Sequence, residues 1–405
     1  MSTTVVRPRW KTTLYAIWAG ELLAVAGFST STPIIPFYLQ DLGVSDPLQI
    51  KFLTGLINTL PSISIAIFAP IWGSIADNYG RKPMLLRAML GGAVVLVLQG
   101  LARDPWQLLA LRTLQGCITG TVAAATILVA SNAPAEETGY ALGLLQMAIF
   151  LGSSLGPMFG GIISDAFGHR LTFFATSILL LAAGLTIAKF AEDNFTPPKD
   201  RKSVLRSMVP DFSPLARSKA LWALMAVVAA DQIAGSIVSP FLPLFIQSIT
   251  PRNGMVSTMT GVILGVGALA SAAGAASLGK LSFRIGYRRT LVVCMAAAAI
   301  FTIPQAFVHS PLQLLLLRIA SGFFIGGDMP SANALIAQQI QSGKQGSVYG
   351  LTSSISSSSN AIGPMIGASL AAGIGYGSVF LATGLILGAS GLSIGFFIRR
   401  SRAVA

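Results

Sequence analysis

Charge is what this sequence most conspicuously lacks. Asp, Glu, Lys and Arg together make up 10% of its 405 residues, against about 25% in an ordinary soluble domain, and this excludes a water-soluble fold. Cysteine and histidine are nearly absent, with two of each. Cys117 and Cys294 lie inside apolar runs without companions, so neither a disulfide framework nor a thiolate metal site can be assembled, and both read as small packing residues. His169 and His309 fall at the ends of apolar runs with no ligand-spaced neighbour, which leaves them as solvated surface groups. Acyl or peptide transfer within a membrane needs a Ser, Cys or His beside a base. With neither His at membrane depth, an intramembrane enzyme is a remote reading, and no metal or cofactor is expected beyond an ion gradient.

What is abundant is apolar side chain, 53% of the residues, with a mean hydropathy of +0.72. Runs of about 20 residues, enough to cross a hydrocarbon layer of roughly 30 Å, recur from one end to the other. They are too long and continuous for alternating barrel strands, so they must be helices. Twelve spans are expected, near 13–39, 51–76, 84–102, 106–131, 139–164, 171–190, 219–248, 257–281, 290–308, 312–339, 346–372 and 377–398. The first follows Arg7, Arg9 and Lys11 as a signal peptide would, but its apolar run is longer than such a leader carries and eleven like it follow. The expected fold class is all-α integral membrane.

The net charge of +13 answers to topology rather than to nucleic acid. If both termini are cytoplasmic, the outer side holds only Lys51, Arg103, Arg170 and Arg252. Arg112 and Arg318 then lie within spans, and every other Lys and Arg faces the inner side, towards anionic lipid.

One polar segment, 191–218, divides the spans six and six and reads as a cytoplasmic linker between bundles 1–190 and 219–405. The halves are copies. "PWQLLALRTLQG" (105–116) matches "PLQLLLLRIASG" (311–322) at an offset of 206, as "GSIADNYGRK" (73–82) matches "GKLSFRIGYR" (279–288). "GPMFGG" (156–161) matches "GPMIGA" (363–368) at 207, and so does "PIIPF" (33–37) against "PFLPL" (240–244). Six spans return the chain to its starting side, so the halves are parallel repeats about an axis along the membrane normal. A cavity between such halves opens alternately to each side as they rock.

In these residues the chain resembles the major facilitator superfamily over nearly its whole length. Gly73, Asp77, Gly80, Arg81 and Lys82 resemble the loop signature between its second and third spans, and Arg112 with Gly116 resembles its fourth-span arginine signature. Gly143, Gly152, Gly156, Pro157, Gly160 and Gly161 resemble the fifth-span signature of exporters that exchange cargo for protons. The resemblance implies a bacterial twelve-span drug:proton antiporter in the inner membrane, driven by the proton gradient and carrying small lipophilic molecules. A facilitator or symporter of a small metabolite or nutrient is the alternative.

Five ionisable residues fall deep within spans: Glu21, Arg112, Asp231, Arg318 and Asp328. Each costs several kcal/mol facing lipid, so each is expected to face a cavity or a partner. An acid whose surroundings alternate between dry and wet can load and release a proton. Glu21, Asp231 and Asp328 are the coupling candidates in that order, with Arg112 tuning one of them; for Asp328, beside Pro330, satisfying freed backbone is the plainer role. Asn58, Gln115, Gln146, Gln232, Asn333 and Asn360 are the candidate cavity lining. Asp77, disfavoured at the end of its own helix, is expected to cap the eleventh span beside Lys344 and latch the inner side. The glycines of the fifth span with Pro157 are expected to form a bendable packing surface between the halves. No partner protein is indicated, and a monomer is expected.

Overall fold

The computed structural model describes residues 9–134, 137–193, 219–251, 254–339 and 345–397. Among these, helices and their connecting turns make up the whole chain. They are α1 (Arg9–Thr30), α2 (Ile35–Asp41), α3 (Pro47–Tyr79), α4 (Arg81–Gly100), α5 (Pro105–Ile118), α6 (Thr121–Asn132), α7 (Thr138–Phe167), α8 (His169–Phe190), α9 (Lys219–Val238), α10 (Leu242–Ile249), α11 (Val256–Ile285), α12 (Tyr287–Thr302), α13 (Pro311–Gln339), α14 (Gln345–Gly373) and α15 (Tyr376–Phe397); a 3-10 turn, Ile303–Phe307, extends α12. Helix starts follow from local sequence. Asp46 and Asp104 each precede a proline, and their carboxylates accept the N–H groups of Leu48 and Gln49 and of Trp106 and Gln107. Proline at the first helical position gives up only an N–H that has no partner within the helix.

Nine of the described helical stretches are long and apolar enough to cross a membrane, or ten if the pair α1 and α2, bent by 50°, is one span. The remaining two expected spans fall short of that test for different reasons. The fourth is interrupted between α5 and α6, where Gly120 takes φ +135°. The eleventh, α14, carries the polar run "TSSISSSSN" (352–360). The chain is a multi-pass membrane protein, with the connector expected over 191–218 lying outside the described residues beyond Asp193.

Packing reproduces the repeat residue by residue. A Cβ on Gly156 or Gly160 would strike the backbone of α1 at Ala26 and Thr30, and one on Gly363 or Gly367 would strike α9 at Ser236, Ile233 and Ile237. All these pairs are separated by 207. Gln99 binds the Gln115 side chain, and Gln305, 206 residues on, binds Ser321. Tight reversals at Gly80 and Gly286 use φ of 101° and 91° at the same offset, a region that side chains other than glycine occupy only with strain.

The halves meet along two seams, α3 with α14 and α7 with α11. Towards the end of the bundle opposite the N terminus, here the distal end, one apolar core runs through both halves and joins Tyr38 and Leu39 of α2 to Leu244 and Phe245 of α10. Towards the proximal end the core splits in two. One part is built from α1, α4, α6, α7 and α8 and the other from α9, α12, α13, α14 and α15. The molecule is therefore held together distally by shared apolar burial and divided proximally.

Candidate functional site

A cavity of ≈ 490 Å³ lies where α3, α9 and α14 converge between the halves. Its wall is rich in hydroxyls and amides: Asn58 and Ser62 from α3, Gln232 and Ser236 from α9, Ser239 from the turn after it, Ser357 and Asn360 from α14. Asn360 donates to the Gln232 side chain at 3.3 Å, while Asn58 and Ser236 turn back to carbonyls one helical turn earlier. Of the six residues expected to line a substrate path, Asn58, Gln232 and Asn360 are in the wall of this cavity. Gln115 is 7% exposed and bonded to Gln99; it, Gln146 and Asn333 are not in this cavity wall.

Glu21 is fully buried in α1. Thr121, the first residue of α6, donates its hydroxyl to Glu21 Oε1 at 2.9 Å, and Oε2 has no partner. The carboxyl thus sits against the break in the fourth span, where the start of α6 supplies free N–H groups and a positive dipole end. Asp328 of α13 is 1% exposed and neither of its oxygens accepts a hydrogen bond; the Ser331 hydroxyl one turn on is also buried and unpartnered. A carboxylate that accepts nothing does not serve the backbone freed by Pro330. Asp231 of α9 is half-buried beside Gln232 of the cavity wall. Arg112 touches Gln115 at 3.4 Å and the Phe173 ring at 5.9 Å, with Nε and Nη2 unpartnered. Glu21 lies in the first half and Asp231 and Asp328 in the second, on three separate helices.

The expected hinge glycines divide by direction. Gly152, Gly156 and Gly160 press α7 onto α1 within one half, whereas Gly161 faces the Ser257 backbone of α11 across the seam and the Pro157 carbonyl faces Gly261. Gly143 faces open space. Of the latch residues, the side chain of Asp77 and the whole of Lys344 lie outside the described residues. The backbone N–H groups of Arg81 and Lys82 donate to Asp193 at 2.7 and 2.9 Å, and Lys82 Nζ donates to the carbonyls of Ala188 and Ala191 at the end of α8. Gly73 has nothing near its α-carbon face.

Contacts that sequence reading overlooked hold the distal end. Asp165, at the end of α7, accepts from Ser257 N and Thr258 N at the start of α11. Lys51 of α3 donates to Ala371 O of α14 at 2.8 Å. Gln40 and Gln247, 207 residues apart, bond to one another at 3.3 Å, so the repeat axis passes between them. The offset identifies the two as repeat mates, which alone can meet on the axis, but does not say which mates do. His169, expected to be merely solvated, pairs with Asp41.

The family model described as Major Facilitator Superfamily matches residues 17–282 and 227–405. The chain is 34% identical over 378 residues to the multidrug resistance protein MdtG of Rahnella sp. (strain Y9602), covering 93% of this chain and 91% of that one. It is 34% identical over 388 residues to the protein of the same name from Klebsiella pneumoniae (strain 342), covering 96% and 94%. Among solved structures, it superposes with a TM-score of 0.78 on a bacterial homolog to the human lysosomal transporter Spinster in an inward-facing, occupied conformation, at 14% identity and covering 96% of this chain and 97% of that one. The human organic anion transporter MFSD10 (TETRAN) gives 0.69 at 18% identity, covering 96% and 100%. At those identities the structures speak for the fold alone.

Proposed function

The chain belongs to the major facilitator superfamily, and from that premise we propose that it exports small lipophilic compounds in exchange for protons by alternating access. The observation that carries the reading is the similarity, over nine-tenths of both chains, to proteins named for multidrug resistance. The cavity between the halves supports it, because an amide- and hydroxyl-lined hollow of this size suits varied small molecules held by a few adaptable hydrogen bonds.

In this reading the bundles are 1–190 and 219–405, joined by 191–218. Both termini face the cytoplasm, the protein is a monomer of the bacterial inner membrane, and the distal end faces outward. The shared distal core then makes this an inward-facing form. Glu21 is the first proton carrier. Its half-satisfied carboxyl beside the α5/α6 break can exchange a proton when the break or the cavity is hydrated, and Thr121 orients it. Asp231 and Asp328 form a second carrier pair in the other half, and Arg112 is a fixed cation that biases the field around the cavity. The glycines of α7 serve as the bearing on which the halves tilt, and Asp77 with Lys344 latches the inner side when it closes.

Ethidium accumulation in cells with and without the protein, with a protonophore control, tests the reading. Lower accumulation that the protonophore abolishes is the expected result. Unchanged accumulation across several unrelated dyes overturns it. For the carrier, substrate-induced proton release from solubilised protein is expected to disappear in Glu21→Gln, and release that persists at full size removes Glu21 from the role.

A further inference from the structure

The cavity between the halves is polar without being charged. Among the described residues its wall holds no Asp, Glu, Lys, Arg or His, and its hydrogen-bonding side chains are all Ser, Asn or Gln. The fold does not require most of them. The repeat mates of Asn58 and Ser62, at an offset of 206, are Leu264 and Ala268, and those of Gln232 and Ser357, at 207, are Val25 and Phe150. The equivalent helices of the other copy pack with apolar side chains at these places, so the polarity answers to the hollow and not to helix packing.

The bonds these groups already make decide what they can offer. The Ser62 hydroxyl donates to Asn58 O at 2.9 Å, and the Ser236 hydroxyl donates to Gln232 O at 2.7 Å. A hydroxyl has a single proton to give, so both oxygens can serve a guest only as acceptors. Asn58 Nδ2 donates to Thr54 O at 2.8 Å. A carbonyl can only accept, which fixes the orientation of that amide and leaves Oδ1 as its unbonded oxygen. Asn360 Nδ2 is spent on Gln232 Oε1, which leaves Asn360 Oδ1 unbonded and Gln232 Nε2 with both of its protons. Oxygens from α3, α9 and α14 are therefore open to a guest as acceptors, against one amide nitrogen whose protons are both unspent.

We infer that the cavity selects cargo by its hydrogen-bond donors. A lipophilic body with an uncharged N–H or O–H edge, such as an aryl amine or a hydroxyl, is held by Asn58, Ser62, Ser236 and Asn360. A guest whose polar atoms only accept faces those oxygens without a proton to share, and both sides give up bonds to water that nothing replaces. Lipophilicity alone then does not rank the cargo. The inference rests on the export reading for the role of the cavity and adds to it the chemical class that the cavity takes.

The test pairs two dyes that share a ring system and a charge. Proflavine carries primary amines, and acridine orange carries the same nitrogens capped with methyl groups, which removes those donors and raises lipophilicity. Asp231, one turn of α9 before Gly235 of the wall, acts on both cations alike. Binding is measured by equilibrium dialysis against the full chain in nanodiscs, with uptake by empty discs subtracted. Proflavine is expected to bind at least about threefold tighter than acridine orange, against the order of lipophilicity. Asn58→Leu, which installs the side chain of the repeat mate, should weaken proflavine by about twofold to tenfold, the range of one neutral hydrogen bond, and leave acridine orange unchanged. A chain with Ser62→Ala and Ser236→Ala, which removes acceptors and adds no bulk, should do the same. Acridine orange bound as tightly as proflavine overturns the inference, as does a double serine variant that weakens both dyes alike or neither. If cells export neither dye while the purified protein keeps its preference, the export reading falls and the selectivity stands; equal export with equal binding of the two dyes has the opposite meaning.

Discussion

The two seams between the halves occupy equivalent places in the repeat, yet they hold by different means. Gly261 of α11 meets the Pro157 carbonyl, and Gly55 of α3, its mate at an offset of 206, meets the Pro364 carbonyl, which is the mate of Pro157. From there the seams diverge. Along α7/α11, Gly161, Gly261 and Gly265 let two backbones touch, and Asp165 seals the distal tip by accepting the first N–H groups of α11. Along α3/α14 the matching positions are Ala368, Gly55 and Thr59, and the distal tip is sealed by Lys51 donating to a terminal carbonyl. Lys51 stands where the other copy has Ser257, and Ala372 stands where it has Asp165. An anion at a helix start and a cation at a helix end solve the same problem with opposite charge. One seam brings backbone to backbone at three glycines, the other at one, with a hollow outside it.

The largest effects are expected where backbone meets backbone. Gly261→Leu has no room beside the Pro157 carbonyl, so α7 and α11 must part along their length. Dye export should fall by about a hundredfold or more while the protein still inserts, because a clash with backbone costs well over the 2.7 kcal/mol that this factor represents. Gly55→Ala is the matching probe of the other seam. Its Cβ would lie 2.9 Å from the Ala368 Cβ and 3.2 Å from the Pro364 carbonyl oxygen, atoms that move only with the α14 backbone but overlap a lone methyl far less than a Leu at 261 overlaps α7, and export should fall by no more than about fivefold, on the order of 1 kcal/mol. Equal losses in the two variants would erase the distinction between the two seams.

The distal seals come next. Asp165→Ala leaves two N–H groups at the start of α11 without their acceptor and removes a favourable charge, a loss of about 1 kcal/mol as for other N-caps. Lys51→Met removes one hydrogen bond and a contact with the Tyr376 ring at 4.8 Å, at a partly exposed site, for about 0.5 kcal/mol. The readout is the labelling rate, by an impermeant maleimide, of a cysteine placed at Gln247. It should rise more for Asp165→Ala than for Lys51→Met, and the reverse order would mean that the α3/α14 tip governs opening.

Much of this architecture was legible in the sequence because periodic apolar runs and a constant offset are properties of the chain itself. The twofold repeat followed from "PWQLLALRTLQG" against "PLQLLLLRIASG", and the membrane class from long apolar runs and scarce charge, without any contact being known. The site was less legible. Asn58, Gln232 and Asn360 line the cavity, but Gln115, equally polar and equally deep, spends its side chain on Gln99, and nothing in spacing along one helix tells which face a neighbouring helix will cover. The break at Gly120 was hidden because Thr119 and Gly120 are unremarkable within an apolar run, and the buried Glu21 that faces it lies 100 residues away. Asp165 was passed over because an acid at a helix end near the surface has an ordinary solvated reading, and only the approach of α11 gives it another.

The smallest effect is expected on the axis itself. Gln40 and Gln247 are repeat mates, half-buried and exposed respectively, and bond through neutral amides at 3.3 Å. In the distal-closed form their bond replaces bonds to water that both amides recover when the halves part, so the net contribution is under about 0.5 kcal/mol. Gln40→Ala should leave export within about twofold of the unaltered chain. The position matters geometrically all the same, because a residue on the axis faces its own mate and their separation reports directly on distal closure. Cysteines at 40 and 247, joined by a short bifunctional thiol reagent in a chain lacking Cys117 and Cys294, should therefore hold the distal end shut and stop export, although neither glutamine is needed for it. If the cross-linked protein exports normally, the two seams do not part at that end, and their contrast bears on stability rather than on transport.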